Sequence, residues 1–134
     1  LAPPFSYVVG KPLNDLIPLR APGPDEEVDV HGNQVALLER SRCFQSSNMT
    51  CSTCHNVHLP QREAASFSRS CLKCHKVDSC GIYPKRGAEI AANCVDCHMP
   101  KLTSSAIVST VGGQKLQPQV RTHWNKVYQE GNKR

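Results

Sequence analysis

The sequence is poor in the residues that build an ordinary protein core. Of its 134 residues 39% are apolar and only 5% aromatic, with one Trp, three Tyr and three Phe, and the mean hydropathy is −0.42. Large aromatic side chains carry much of the buried area in most cores, so a chain this short and this polar, one domain or one domain with arms, is not expected to be held together by side chains alone. No apolar run is long enough to cross a bilayer, which excludes a membrane-spanning helix. No cysteine stands at the N-terminus to carry a lipid, so a soluble or assembled protein is expected rather than an anchored one. Methionine is nearly absent: Met49 and Met99 are the only two.

What the sequence has instead is three copies of C-x-x-C-H, at Cys51–His55, Cys71–His75 and Cys94–His98, with starts 20 and 23 residues apart. This is the attachment signature of covalent c-type haem. Two cysteines three apart lie on one side of a helical turn, where both sulfurs can form thioethers with the vinyl groups of one porphyrin. The next residue is then a histidine held under the iron. A single motif would also fit a zinc half-site or a redox dithiol; three with the histidine in the same place predict three haems. Cys51, Cys54, Cys71, Cys74, Cys94 and Cys97 are the expected attachment points, and His55, His75 and His98 the expected proximal ligands. Rigid apolar discs would then supply the missing core, and the chain would not fold without them.

Haem attachment takes place outside the cytoplasm, so the sequence is expected to be that of an exported, periplasmic or extracellular protein whose leader has been removed. The two remaining cysteines, Cys43 and Cys80, make an even remainder, and a disulfide between them is expected there. The formal charge of +5 does not require an anionic partner. Each oxidised haem brings about −1 through its propionates, leaving about +2, or about −1 on full reduction. Nucleic-acid binding is therefore not expected, and the scattered Arg40, Arg42, Arg62 and Arg69 are assigned to propionates.

Along the chain, residues 1–28 read as an extended arm, with six of the ten prolines at Pro3, Pro4, Pro12, Pro18, Pro22 and Pro24. Apolar pieces at Phe5–Val9 and Leu13–Leu19 lie between them. Residues 29–134 read as the haem domain. Asn33 is expected to cap a helix through Val35, Leu38 and Phe44, with Leu37 and Ser41 on a neighbouring face. A haem turn from Cys51 to about His58, a helix over Gln61–Ser68, a turn at Cys80–Pro84 and a helix over Gly87–His98 follow. Ser105–Val111 and Gln114–Val120 are predicted strands around the Gly112-Gly113 turn, the second weakened by Pro118. Thr122 is expected to cap a last helix through Trp124, Val127 and Tyr128, before a polar tail at Glu130–Arg134. The fold class expected is mostly irregular, with short α-helices around a haem core and a small hairpin near 105–120.

The histidine count is the most informative arithmetic in the sequence. Six histidines are present, three of them in the motifs, leaving His31, His58 and His123 for three remaining axial positions. His58 leaves the same turn as His55 on the same side, so it is expected to serve a different haem and to force two haems together. Sequence order suggests His31 for the first haem, His58 for the second or third and His123 for the remaining one. Met49 and Met99 each stand too close to a motif to serve as its distal ligand. Paired imidazoles imply lower reduction potentials than histidine with methionine.

The stretches C-S-T-C-H-N-V-H at Cys51–His58, Cys71–His75 and C-V-D-C-H-M-P at Cys94–Pro100 resemble the multihaem c-type cytochromes. The resemblance covers about residues 43–100. It implies a fold dominated by closely spaced haems, bis-histidine iron and long-range electron transfer. Some members of that group polymerise into extracellular filaments, so partners are expected among other redox proteins or copies of this chain, with Ser105–Val111 a candidate acceptor for a neighbour's arm. An electron carrier rather than an enzyme is expected. The alternative, a reductase of nitrogen or sulfur oxyanions or a gas sensor, requires an open iron position. Replacing His58 with Met is expected to raise the potential of a haem other than the one at Cys51 and Cys54; potentiometric titration with haem-resolved spectra checks it.

Overall fold

A computed structural model describes residues 6–12, 15–16, 22–23 and 25–128. Expectations for Phe5, for most of Leu13–Leu19 and for the tail at Glu130–Arg134 fall outside the described residues. The helical half comprises α1 (Gln34–Glu39), α2 (Arg42–Gln45), α3 (Cys51–Cys54), α4 (Ala64–Cys71), a 3-10 turn at Val77–Ser79, α5 (Tyr83–Arg86), a 3-10 stretch at Gly87–Ala92 and α6 (Val95–His98). Strands β1 (Lys101–Thr103), β2 (Ser109–Val111), β3 (Gln114–Leu116) and β4 (Gln119–Arg121) complete it. They form two separate antiparallel pairs, β1 with β4 and β2 with β3. Short helices and a small hairpin amid irregular chain agree with the expected class at that level.

The hairpin lies where its turn dictates. Gly112 and Gly113 have φ of 58° and 81°, the two left-handed conformations that a tight hairpin turn needs and that side chains disfavour. Its strands are shorter than the sequence pattern implies because Pro118 ends the ladder. The Pro118 carbonyl accepts from Ser104 N at 2.9 Å, and the chain beyond it turns back to pair β4 with β1.

Several boundaries differ from the sequence expectation, each for a local reason. The first helix is two: α1 stops at Arg40, and Ser41, extended at φ −82° and ψ 131°, starts α2. The inward face is the one carrying Leu37, 3% exposed, while Val35 is 61% exposed. Asn33 does not cap α1 with its side chain; its Nδ2 donates to the carbonyls of Asp29 and His31. The Gln61–Ser68 helix begins at Ala64 and continues into the second motif. Gly87–His98 is a 3-10 stretch, then a break at Asn93, then α6. Among the described residues no helix follows Thr122: its Oγ1 accepts from Trp124 N as a capping hydroxyl would, but Lys126 N, which would close the first helical turn on the Thr122 carbonyl, donates to the His98 carbonyl instead.

The apolar core of the described residues is very small: Val30, Leu37 and Val95 are its buried members. The chain exposes 10642 Å², about half again the roughly 7000 Å² expected for a compact monomer of its mass. Buried hydroxyls link the segments instead. Ser68 Oγ in α4 donates to the Ala64 carbonyl and accepts from Cys94 N. Ser104 Oγ donates to Asp29 Oδ1 at 2.8 Å. Asp29 also accepts from His31 N, Ser105 N, Ser105 Oγ and Ala106 N, fastening the start of the domain to the loop between the strand pairs. At the arm's end, Arg40 donates to the carbonyls of Gly23 and Glu26, so this arginine has a structural task.

Burial pushes the Asp29 pKa up, but the amides of His31 and Ser105 and the hydroxyls of Ser104 and Ser105 outweigh it and hold the carboxyl far below its ordinary 3.8. A lowered folded-state pKa means the stabilisation is complete above the ordinary value and lost as pH falls from there toward the folded value. Asp29→Asn is expected to cost about 1–3 kcal/mol at pH 7, with the difference from wild type shrinking below about pH 3.8; denaturant titrations at both pH values check it.

Candidate functional site: three cysteine-histidine turns and a C-terminal strap

The three motifs fold into the same turn three times. The histidine N–H donates to the carbonyl of the first cysteine in each: His55 to Cys51 at 2.9 Å, His75 to Cys71 at 3.0 Å and His98 to Cys94 at 3.0 Å. This one hydrogen bond closes each motif into a single helical turn. Each motif also turns one sulfur inward. Cys54, Cys71 and Cys94 are half-buried, whereas Cys51, Cys74 and Cys97 are exposed. Cys71 lies within electrostatic reach of the other two inner cysteines: burial first, then Cys94, Cys54 and Cys43, push its thiol up to about 11. Burial and the neighbouring Cys43 likewise raise Cys54.

The expected Cys43–Cys80 bridge is not formed; all eight cysteines are free. Cys43 faces Asn125, whose Nδ2 donates to its sulfur at 3.8 Å, and lies toward Cys54 and Cys71. Cys80 instead lines a cavity of about 280 Å³ that the second and third motifs share, with Cys71, His75, Cys94, Cys97 and His98 on its walls. A second cavity of about 400 Å³, lined by Arg62, Phe67, Lys101 and Arg121 among others, adjoins the first motif through Phe67, whose ring centre is 5.2 Å from that of His55. Asp96 also lines this cavity and already pairs with Arg121 at 2.6 Å.

Of the three spare histidines, the structure brings His123, not His31, beside His55. Their ring centres are 6.0 Å apart and their planes differ by 24°. His123 is half-buried and its Nδ1 has no hydrogen-bond partner, an orphaned polar atom of the kind a metal or a new donor would satisfy. Burial lowers its pKa, an effect the Arg121 backbone only partly opposes and His55 reinforces; a neutral ring is what ligation requires. His31 and His58 are exposed, and the main-chain N–H of His58 donates to Asn56 Oδ1.

His98 is held in a different way. Its Nδ1 is 3.0 Å from the Lys126 carbonyl, and Lys126 N donates to the His98 carbonyl. A histidine whose Nδ1–H is committed to a carbonyl leaves Nε2 free for a metal, an outer contact typical of ligand histidines. The α6 turn below it is clamped by Arg121, which donates to the carbonyls of Val95 and Met99 and to Asp96. Hydrogen bonds from Asn93 first, then from Arg121, lower the Asp96 pKa.

Residues 122–128 thus form a strap across two motifs, touching His55 with a side chain and His98 with a backbone. Trp124 anchors it between two cations, Lys126 at 3.5 Å and Arg40 at 5.5 Å from the ring centre, and Tyr128 OH donates to the Trp124 carbonyl. Sequence reasoning gave no site role to Ser41, Ser68, Phe67 or the Lys126 carbonyl, which carry no motif; Ser41 entered it only as a residue on a helix face.

Among the described residues, no group of three or more His, Cys, Asp or Glu is placed to hold a metal ion by itself. An iron that brought four porphyrin nitrogens would ask the protein for two imidazoles, which at the first motif His55 and His123 could supply. No family model, curated protein or solved structure matches the chain. The site's own geometry therefore carries the functional reading.

Trp124→Ala is expected to lower stability by about 2–3 kcal/mol through lost packing and cation–π contacts and to loosen the strap; denaturation midpoints of the purified protein, compared with wild type, check it.

Proposed function

We propose that this chain is an electron carrier holding three covalent c-type haems, at Cys51 and Cys54, Cys71 and Cys74, and Cys94 and Cys97, with His55, His75 and His98 as proximal ligands. The observation that carries the reading is the same cysteine-histidine turn formed three times, with the His123 ring brought to 6.0 Å from that of His55. Haem supplies the one-electron chemistry when bound. This chain's part is to fix two imidazoles per iron, so that coordination changes little between oxidation states, and to keep the carriers close. The shared cavity of the second and third motifs and the inward-facing Cys54, Cys71 and Cys94 support that closeness. In this reading His31 and His58 serve the second and third haems, and His58 answers a haem other than that of its own turn.

Exposed apolar residues flank His58, with Val57 at 80% and Leu59 at 62%, and the arm presents Val8 at 61% and Val9 at 90%. These favour partners that cover them: other redox proteins, or copies of this chain assembled into a filament that extends the haem path. Haem attachment places the protein outside the cytoplasm, in the periplasm or beyond the cell.

A second reading, a haem enzyme or gas sensor with one open iron position, is favoured by the exposure of His31 and His58. Spectroscopy separates the two. The electron-transfer reading expects low-spin ferric spectra for all haems of the wild-type protein, no carbon monoxide adduct on reduction, and one newly high-spin, carbon monoxide-binding haem in His123→Ala. A native carbon monoxide adduct in the wild type would favour the enzyme or sensor.

A further inference from the structure

Ser41 occupies a position whose usual task it does not perform. It is the residue before α2, with the extended backbone of a helix N-cap, and a serine there ordinarily accepts a hydrogen bond from the first turn of its own helix. Ser41 makes no such cap bond. Its hydroxyl reaches instead across the sequence to the strap, donating to the His123 carbonyl at 3.1 Å and accepting from Asn125 N at 2.7 Å. The residue is 0% exposed, so water cannot replace either bond. Its own backbone is fixed on both sides, Ser41 N donating to the Leu38 carbonyl and the Ser41 carbonyl accepting from Gln45 N. A buried hydroxyl on a rigid helix junction therefore grips the backbone on either side of Trp124, immediately beside His123.

We propose that Ser41 is a positioning residue for the first haem site: by bolting the strap to the α1–α2 junction it holds His123 against His55, without touching the haem itself. The inference rests on the three-haem reading and deepens it. Helix α2 forgoes a cap so that the hydroxyl can serve the strap, and a local rule broken without a local gain is the mark of a functional constraint. Because Lys126 on the same strap clasps His98 from both sides, the bolt acts on the strap between those two contacts and the junction. The first site is the sensitive one, since there the strap supplies a ring, whereas at His98 it supplies only the carbonyl behind the ring.

The test uses the haem-loaded full chain with Ser41→Ala and Ser41→Cys, the second retaining a weak donor of similar size. A haem count on the wild type by alkaline pyridine spectroscopy tests the three-haem reading separately; fewer than three haems would overturn that reading, and this inference with it. With three present, loss of two ordinary hydrogen bonds is expected to shift the release of His123 about tenfold or more in Ser41→Ala. It reads as a larger high-spin ferric fraction and faster carbon monoxide uptake at one haem, less in Ser41→Cys, and millimolar imidazole should restore the low-spin spectrum. Should Ser41→Ala not accumulate, Ser41→Cys carries the comparison alone. Spectra unchanged from wild type would overturn the proposal, and so would a change spread over all three haems or one that imidazole does not reverse, since either would mean a general loss of structure.

Discussion

Buried hydroxyls do in this chain what apolar side chains do in most domains. Ser41, Ser68, Ser104 and Thr122 are the most completely buried side chains described, and each hydroxyl meets a partner. Three of them reach between distant segments: Ser41 to the strap, Ser68 to the third motif, Ser104 to Asp29. Net of desolvation each bond contributes little, but breaking one inside costs more, because the abandoned partner is cut off from water. Such contacts fix where segments lie and supply little bulk stability. With Val30, Leu37 and Val95 as the buried apolar side chains, the bulk must come from elsewhere, and the proposed haems are the apolar mass that fits.

The motifs and the strap divide the work between them. Local hydrogen bonding shapes each cysteine-histidine turn, so the same turn recurs in three settings: free-standing in α3, at the end of α4, and in α6. Where the turns point relative to one another is decided at longer range. Ser68 ties the second turn's helix to Cys94, and the strap ties His55 to His98 through His123 and Lys126. Arg121 bridges the β1–β4 pair to the base of α6. The small sheet is thus a support for the third turn.

What the sequence made legible was whatever depends on neighbours in the chain. The three turns, the Gly112-Gly113 hairpin and the irregular character all follow from spacing and from residues with few conformations. The pairing of β1 with β4 was not legible, since it depends on Pro118 and Ser104 meeting across a loop. The helix expected after Thr122 failed for a similar reason: a threonine followed by apolar residues has the pattern of a cap, yet the His123 carbonyl accepts from Ser41 and Lys126 N donates to His98, groups a helix would pair internally. The histidine count named His123 without a motif to go with it, and sequence order suggested His31 for the first site, where the structure brings His123 beside His55. Order along a chain says nothing of a segment folded back by a hydroxyl 82 residues away.

The alternation of sulfurs, one half-buried and one exposed in every turn, carries a consequence for chronology. On the proposed reading a thioether at Cys54, Cys71 or Cys94 is made most readily while the chain is still open, because the folded structure half-buries those residues. Cys51, Cys74 and Cys97 stay reachable to the end. On the proposed reading, maturation and folding are then one ordered event: the inner sulfur of each turn is joined first, the chain closes over it, and the strap is laid across last, since it has nothing to fasten until the turns beneath it are complete.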